Sequence, residues 1–183
     1  MSEVPTATDT TASLPLAVPP GRECGTCTLC CKLFPVPDLG KPAGRWCQHI
    51  VQGRGCGIHA TRPAVCRSFF CQWVYNEELG PEWKPEVCKF VLSIYGGTNS
   101  LVVTADPGFP RNWAREPYLS NLRRWAEAAM ADGHQVIVFN GDHVTAILAD
   151  GEKPLGTVGL GDRLVTLRRG MLYDVELRRH ASS

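Results

Sequence analysis

The sequence predicts an α+β fold: a cysteine-rich N-terminal half built of short elements, followed by antiparallel strands with one main helix. Three observations predict it. Eight of the nine cysteines fall between Cys24 and Cys71. Prolines at 35, 37, 42, 63, 81 and 85, together with interspersed glycines, forbid long regular elements in that region. From Cys88 onward the texture changes, and β-branched and aromatic runs flank a single helical pattern.

In chain order, residues 1–21 are rich in Thr, Ala, Pro and Ser, lack any period of 2 or 3.6, and read as a flexible tail. Residues 22–87 form the cysteine-cluster region. Its best helical stretch is Arg62 to Glu78, where Pro63 suits a first helical position and Val65, Phe69 and Val74 make an apolar stripe. Residues 88–183 form the α+β region, expected to pack on the cluster region as one compact unit. There KFVLSIY and SLVVTAD read as a hairpin around GGTN. Leu119, Leu122, Trp125, Ala126, Ala129 and Met130 stand at helical spacing, with Gly133 as the stop. QVIVFNGDHVTAIL reads as a second hairpin, with Asn140 and Gly141 supplying positive φ angles. Strands at Arg163–Leu167 and Leu172–Leu177 complete the pattern.

Composition excludes several function classes. With 19 basic and 18 acidic side chains and a net charge of +1, the chain has no polyanion-binding charge excess. No apolar run approaches the ~20 residues needed to cross a bilayer. Glu3 and the early prolines do not fit a secretory signal, so the chain reads as cytoplasmic, without a membrane role. Thiols stay reduced in that compartment, which turns a cysteine cluster toward metal or redox chemistry rather than disulfides.

Cys24, Cys27, Cys30 and Cys31 lie in ECGTCTLCC, a double C-x2-C step ending in adjacent cysteines; Cys47, Cys56, Cys66 and Cys71 follow. Two-residue spacing lets two thiolates converge on one ion at ~2.3 Å while the turn offers backbone N–H groups to the sulfurs. All eight are candidate metal ligands, and they predict an N-terminal half held together by its metal. Cys88, seventeen residues further on, reads as an apolar packing residue. Charge agrees with ligation: between Arg22 and Cys71 seven basic residues face only Glu23 and Asp38, and thiolates would offset the excess. A basic nucleic-acid surface is disfavoured, because regular aromatic interleaving is missing.

CGTCTLCC followed by GCGIHATRPAVCRSFFCQW resembles the CxxCxxCC cysteine-cluster proteins, the YkgJ-like group described as zinc- or iron-chelating domains. Cys24, Cys27, Cys30 and Cys31 match the first motif of that family; Cys56, Ile58, Arg62, Pro63, Cys66, Arg67 and Phe69 match the second. The resemblance covers residues 22 to 75 and implies a zinc- or iron-binding role. His59 stands where the family carries an aromatic residue; ligation by it or by His49 competes with ordinary hydrogen bonding near the site. His134 and His143 read as surface or strand residues. Arg62 and Arg67 are placed either to orient thiolates or to cap backbone carbonyls. Phe69, Phe70 and Trp73 are candidate walls against water.

Eight thiols serve two zinc sites, one 4Fe-4S cluster with spare thiols, or two clusters. Lys32, Leu33 and Phe34 follow Cys31 where the two-cluster ferredoxin run has a further cysteine three residues after Cys30, so that pattern is absent. Related cysteine clusters occur in flagellin lysine N-methylases, which implies a protein-modifying iron–sulfur enzyme as an alternative. No glycine-rich strand-to-helix turn for a methyl donor is seen, and the non-enzymatic reading is favoured. The expected function is therefore chelation of a metal ion, zinc or iron, with the C-terminal half supplying a hydrophobic core or a surface for a protein partner. A zinc-stabilised interaction module is the further alternative.

Overall fold

The computed structural model describes residues 18–69, 71–95, 98–159 and 161–180. It is a mixed α+β structure with one main helix. Most of the expected N-terminal tail lies outside the described residues, as does Phe70.

The cysteine-rich half contains only short pieces: helix α1 (Leu29–Leu33), the two-residue strands β1 (Ile50–Val51) and β2 (Gly55–Cys56), and helices α2 (Ala64–Ser68), α3 (Gln72–Tyr75) and α4 (Pro85–Cys88). The continuous helix expected over Arg62 to Glu78 is not formed. Phe69 and Cys71 adopt extended backbone angles, which splits the stretch into α2 and α3. The apolar stripe misleads because Val65 faces solvent, whereas Phe69 turns inward to stack on Phe34 at 4.6 Å between ring centroids. Lys89 takes a left-handed conformation after α4 and turns the chain into the sheet.

The α+β half holds β3 (Phe90–Tyr95), β4 (Ser100–Ala105), α5 (Tyr118–Ala131), β5 (Val136–Asn140), β6 (His143–Ile147), β7 (Glu152–Thr157), β8 (Arg163–Arg169) and β9 (Leu172–Arg178). Strands β3 to β7 form one sheet in sequential order, and β8 and β9 form a separate ribbon. Both expected hairpins are present, β3 with β4 and β5 with β6. The second turns through Gly141 and Asp142; Gly141 alone carries positive φ, and Asn140 instead pairs with His143 as the last strand residue. The sheet is not wholly antiparallel, since β4 and β5 run parallel. A parallel neighbour cannot be reached by a tight turn, and α5 supplies the crossover.

Alternation along β3 decides what packs where. Phe90 and Leu92 enter the main core with Leu122, Ala126 and Met130 of α5, and with Trp83 and Tyr118. Val91, on the opposite face, packs against Leu29 and Leu33 of α1. One strand thereby carries both the α5 core and the cysteine-rich half. One polar tie reinforces the second contact and another braces the cysteine-rich half from within. Lys32 Nζ bonds the nearly buried Asp106 carboxylate at 2.6 Å. Arg22 stacks on Trp73 and donates to the carbonyls of Trp73 and Leu79 at 3.1 and 2.6 Å.

Cys88 is fully buried in the main core, its Sγ donating to the carbonyls of Phe90 at 3.1 Å and Trp83 at 3.4 Å. Among the described residues no helix is long and apolar enough to cross a membrane. Leu122 is fully buried at the centre of α5, so Leu122→Ala removes core contacts without touching a cysteine. It should lower unfolding stability by about 2–5 kcal/mol, read from the urea midpoint at constant slope.

Candidate metal centre

The C-x2-C step folds as a turn. The N–H of Cys27 donates to the carbonyl of Cys24 at 2.9 Å, with Gly25 at φ +52 between them. Gly55 of β2 lies directly beneath this turn. A Cβ there would overlap the Gly25 carbonyl oxygen, and the backbone sits at φ +93, so only glycine lets the 23–27 turn rest on the β1–β2 hairpin.

Four thiols, Cys24, Cys27, Cys30 and Cys71, line one small cavity of about 20 Å³ whose other walls are Trp73, Val74, Pro85 and Val91. They come from the turn, from α1 and from the start of α3, and they meet because α1 and α3 both pack on β3. Backbone donors point at two of the sulfurs. Cys27 receives N–H groups of Leu29 and Glu86, and Cys71 those of Trp73 and Val74. Such donors stabilise a thiolate once it forms. In the absence of metal, burial outweighs them. Desolvation raises the pKa of Cys24 and Cys27, and pushes Cys71 up to about 11.

The other four cysteines lie on a more polar side. The N–H of Cys47 donates to the carbonyl of Cys31 at 3.2 Å, Cys56 pairs with Ile50 across the hairpin, and Cys66 sits on α2. The thiols of Cys31, Cys47 and Cys56 act through space on Cys66. Two cations accompany them. Lys41 is only 8% exposed; its Nζ donates to the carbonyls of Lys32 and Phe34, and its charge is felt by Cys31. Arg62 donates to the carbonyls of Cys66 and His59 while lowering the pKa of Cys24 and Cys31. Adjacent Cys30 and Cys31 share a hydrogen bond that raises the first and lowers the second.

All nine cysteines are free thiols. Among the described residues, no three His, Cys, Asp or Glu side chains are drawn together closely enough to hold a metal ion as they stand. The donor set nevertheless fits a soft metal: thiols alone facing an apolar-walled cavity, with N–H groups aimed at the sulfurs. Each candidate histidine has one ring nitrogen beside another polar side chain. His59 Nδ1 lies 3.3 Å from Arg62, and His49 Nε2 lies 3.4 Å from Gln48. Of the two arginines, Arg62 caps carbonyls and Arg67 is exposed. Trp73 is a cavity wall, whereas Phe69 serves the Leu29–Leu33–Val91 cluster. Sequence reasoning missed Lys41, Glu86 and Val91. Only the alternation of β3, which marks Val91 as opposite Phe90, offered a signal for any of them.

These environments order the reactivity of the metal-free, folded chain. At pH 8 iodoacetamide should modify Cys31 first and leave Cys30, Cys71 and Cys88 to last. As pH rises toward 11 Cys71 should react before Cys88, whose burial pushes it up to about 12. Peptide mapping by mass spectrometry gives the order directly; early labelling of Cys71 at pH 8 would contradict the burial argument.

No family model matches the chain, and no curated protein or solved structure matches it.

Proposed function

We propose that the protein binds zinc or iron through its clustered cysteine thiolates, and that the N-terminal half is stabilised by that metal. One observation carries this reading: Cys24, Cys27, Cys30 and Cys71, from three separate segments, line a single apolar-walled cavity. Small buried hydrophobes have no reason to gather their sulfurs at one void, nor to have backbone N–H groups directed at them. The place of the chain among the CxxCxxCC cysteine-cluster proteins rests on its two sequence motifs and belongs to the same proposal.

A metal bound here would accept electron pairs from the sulfurs, releasing the thiol protons to solvent. The chain's own residues prepare that exchange. Trp73, Val74, Pro85 and Val91 exclude water, and the N–H groups of Leu29, Glu86, Trp73 and Val74 offset negative charge on sulfur. Lys41 and Arg62 add fixed positive charge on the polar side.

Protein purified without oxygen should contain stoichiometric metal. Iron with acid-labile sulfide and absorption near ~400 nm identifies a cluster; colourless protein with zinc identifies mononuclear sites. Cys27→Ser and Cys66→Ser should each lower bound metal and melting temperature together. Cys88→Ala should leave the metal content unchanged. Unaltered metal and melting in the first two variants would remove those cysteines from the ligand set.

A further inference from the structure

We propose that the eight clustered cysteines form two separate four-thiol centres, Cys24, Cys27, Cys30 and Cys71 on the apolar cavity and Cys31, Cys47, Cys56 and Cys66 on the polar side. Each centre takes a soft metal ion or an iron–sulfur cluster. The assignment rests on the metal-binding reading and adds to it the number of centres and the membership of each.

The division falls between two adjacent residues, and helix geometry explains why. Successive side chains on a helix diverge by ~100°. In α1 the buried pair Leu29 and Leu33, one turn apart, fixes the face directed at Val91. Counting from the middle of that face, Cys30 stands about 80° to one side and Cys31 about 180° away. Cys30 thereby borders the void beside Val91, where it meets Cys24, Cys27 and Cys71. Cys31 lies on the far side, near Lys41 and the loop of Cys47, whose N–H bonds the Cys31 carbonyl, and its thiol meets that of Cys30 in a hydrogen bond where the two sets adjoin. Lys32, on the remaining flank, reaches Asp106 and holds the helix in this rotation.

The rest of each set follows from the chain path. Cys71 begins α3, which packs on β3 and carries Trp73 and Val74 into the cavity wall. Cys47 precedes the β1–β2 hairpin and Cys56 ends it, so the hairpin returns one to the side of the other. Cys66, on α2 with its carbonyl held by Arg62, lies within electrostatic reach of Cys31, Cys47 and Cys56. The extended residues between α2 and α3 separate Cys66 from Cys71, which is why two cysteines five positions apart serve different centres. The two surroundings differ in kind. The first set has hydrocarbon and indole walls, the second a buried ammonium, and the Arg62 guanidinium lies between them, acting on Cys24 and on Cys31.

The test uses the full chain loaded with zinc alone as the probe. The unaltered chain should bind two zinc ions. Cys27→Ser/Cys71→Ser should bind one and protect Cys31, Cys47, Cys56 and Cys66 from alkylation. Cys47→Ser/Cys66→Ser should bind one and protect Cys24 and Cys30 with the remaining pair. Loss of both ions in either double variant, in protein whose circular dichroism is otherwise retained, would overturn the grouping. If a variant does not fold, the unaltered chain at half-saturating zinc decides the matter. Intact mass should show a species with four labels, mapping wholly to one set or wholly to the other; labels mixed across the sets overturn the proposal. A chain that takes up neither zinc nor iron overturns the metal reading itself, and is distinguishable from a chain that binds two ions with different ligands.

Discussion

Strand β3 is the constraint on which the rest of the structure depends. Its strict alternation presents Phe90 and Leu92 to the α5 core and Val91 to the cysteine-rich half. The cysteine-rich half has little regular structure and only a small apolar cluster of its own, centred on Leu29, Leu33 and Val91. It is therefore positioned from outside, by one valine and by the Lys32–Asp106 ion pair, while the Arg22 clamp on Trp73 braces it internally. The cavity of thiols sits at this junction, with Val91 as one of its walls.

The electrostatics of the thiols fit a site whose charge arrives with its metal. Burial favours the neutral thiol at Cys24, Cys27 and Cys71, and under the proposed metal binding a cation would replace those protons. Backbone N–H groups beside Cys27 and Cys71 favour the ionised form of those two thiols. Lys41 is the counterpart on the other side. An ammonium that is almost fully enclosed is costly unless anions or carbonyls surround it, and here two carbonyls hold it beside thiols able to become anions.

Much of this was legible in the chain, for local reasons. The C-x2-C turn, the NG hairpin, the α5 pattern and the separateness of Cys88 are set by neighbours within a few positions. What was not legible depends on distant contacts. The Arg62–Glu78 stretch carries a helical stripe, yet Phe69 is claimed by Phe34 and the helix breaks. The parallel pairing of β4 with β5 is a property of the crossover through α5 rather than of either strand's residues. Lys41 and Glu86 have nothing in their spacing that ties them to cysteines, and they enter the site only through tertiary packing.

The Lys32–Asp106 pair also bears on the order in which the molecule assembles. It joins positions 74 residues apart, and closing a loop of that length carries an entropic penalty that a single exposed-to-buried ion pair does not offset alone. Asp106 directly follows Ala105 of β4, whose register partner is Phe90, so the β3–β4 hairpin places the carboxylate beside the start of β3, the strand that bears Val91. Once that local hairpin exists, the long-range closure makes two favourable contacts at once, Lys32 with Asp106 and α1 with Val91. With Asp106 held beside Lys89 by that hairpin, the loop that the Lys32–Asp106 contact closes is effectively the shorter stretch between Lys32 and β3.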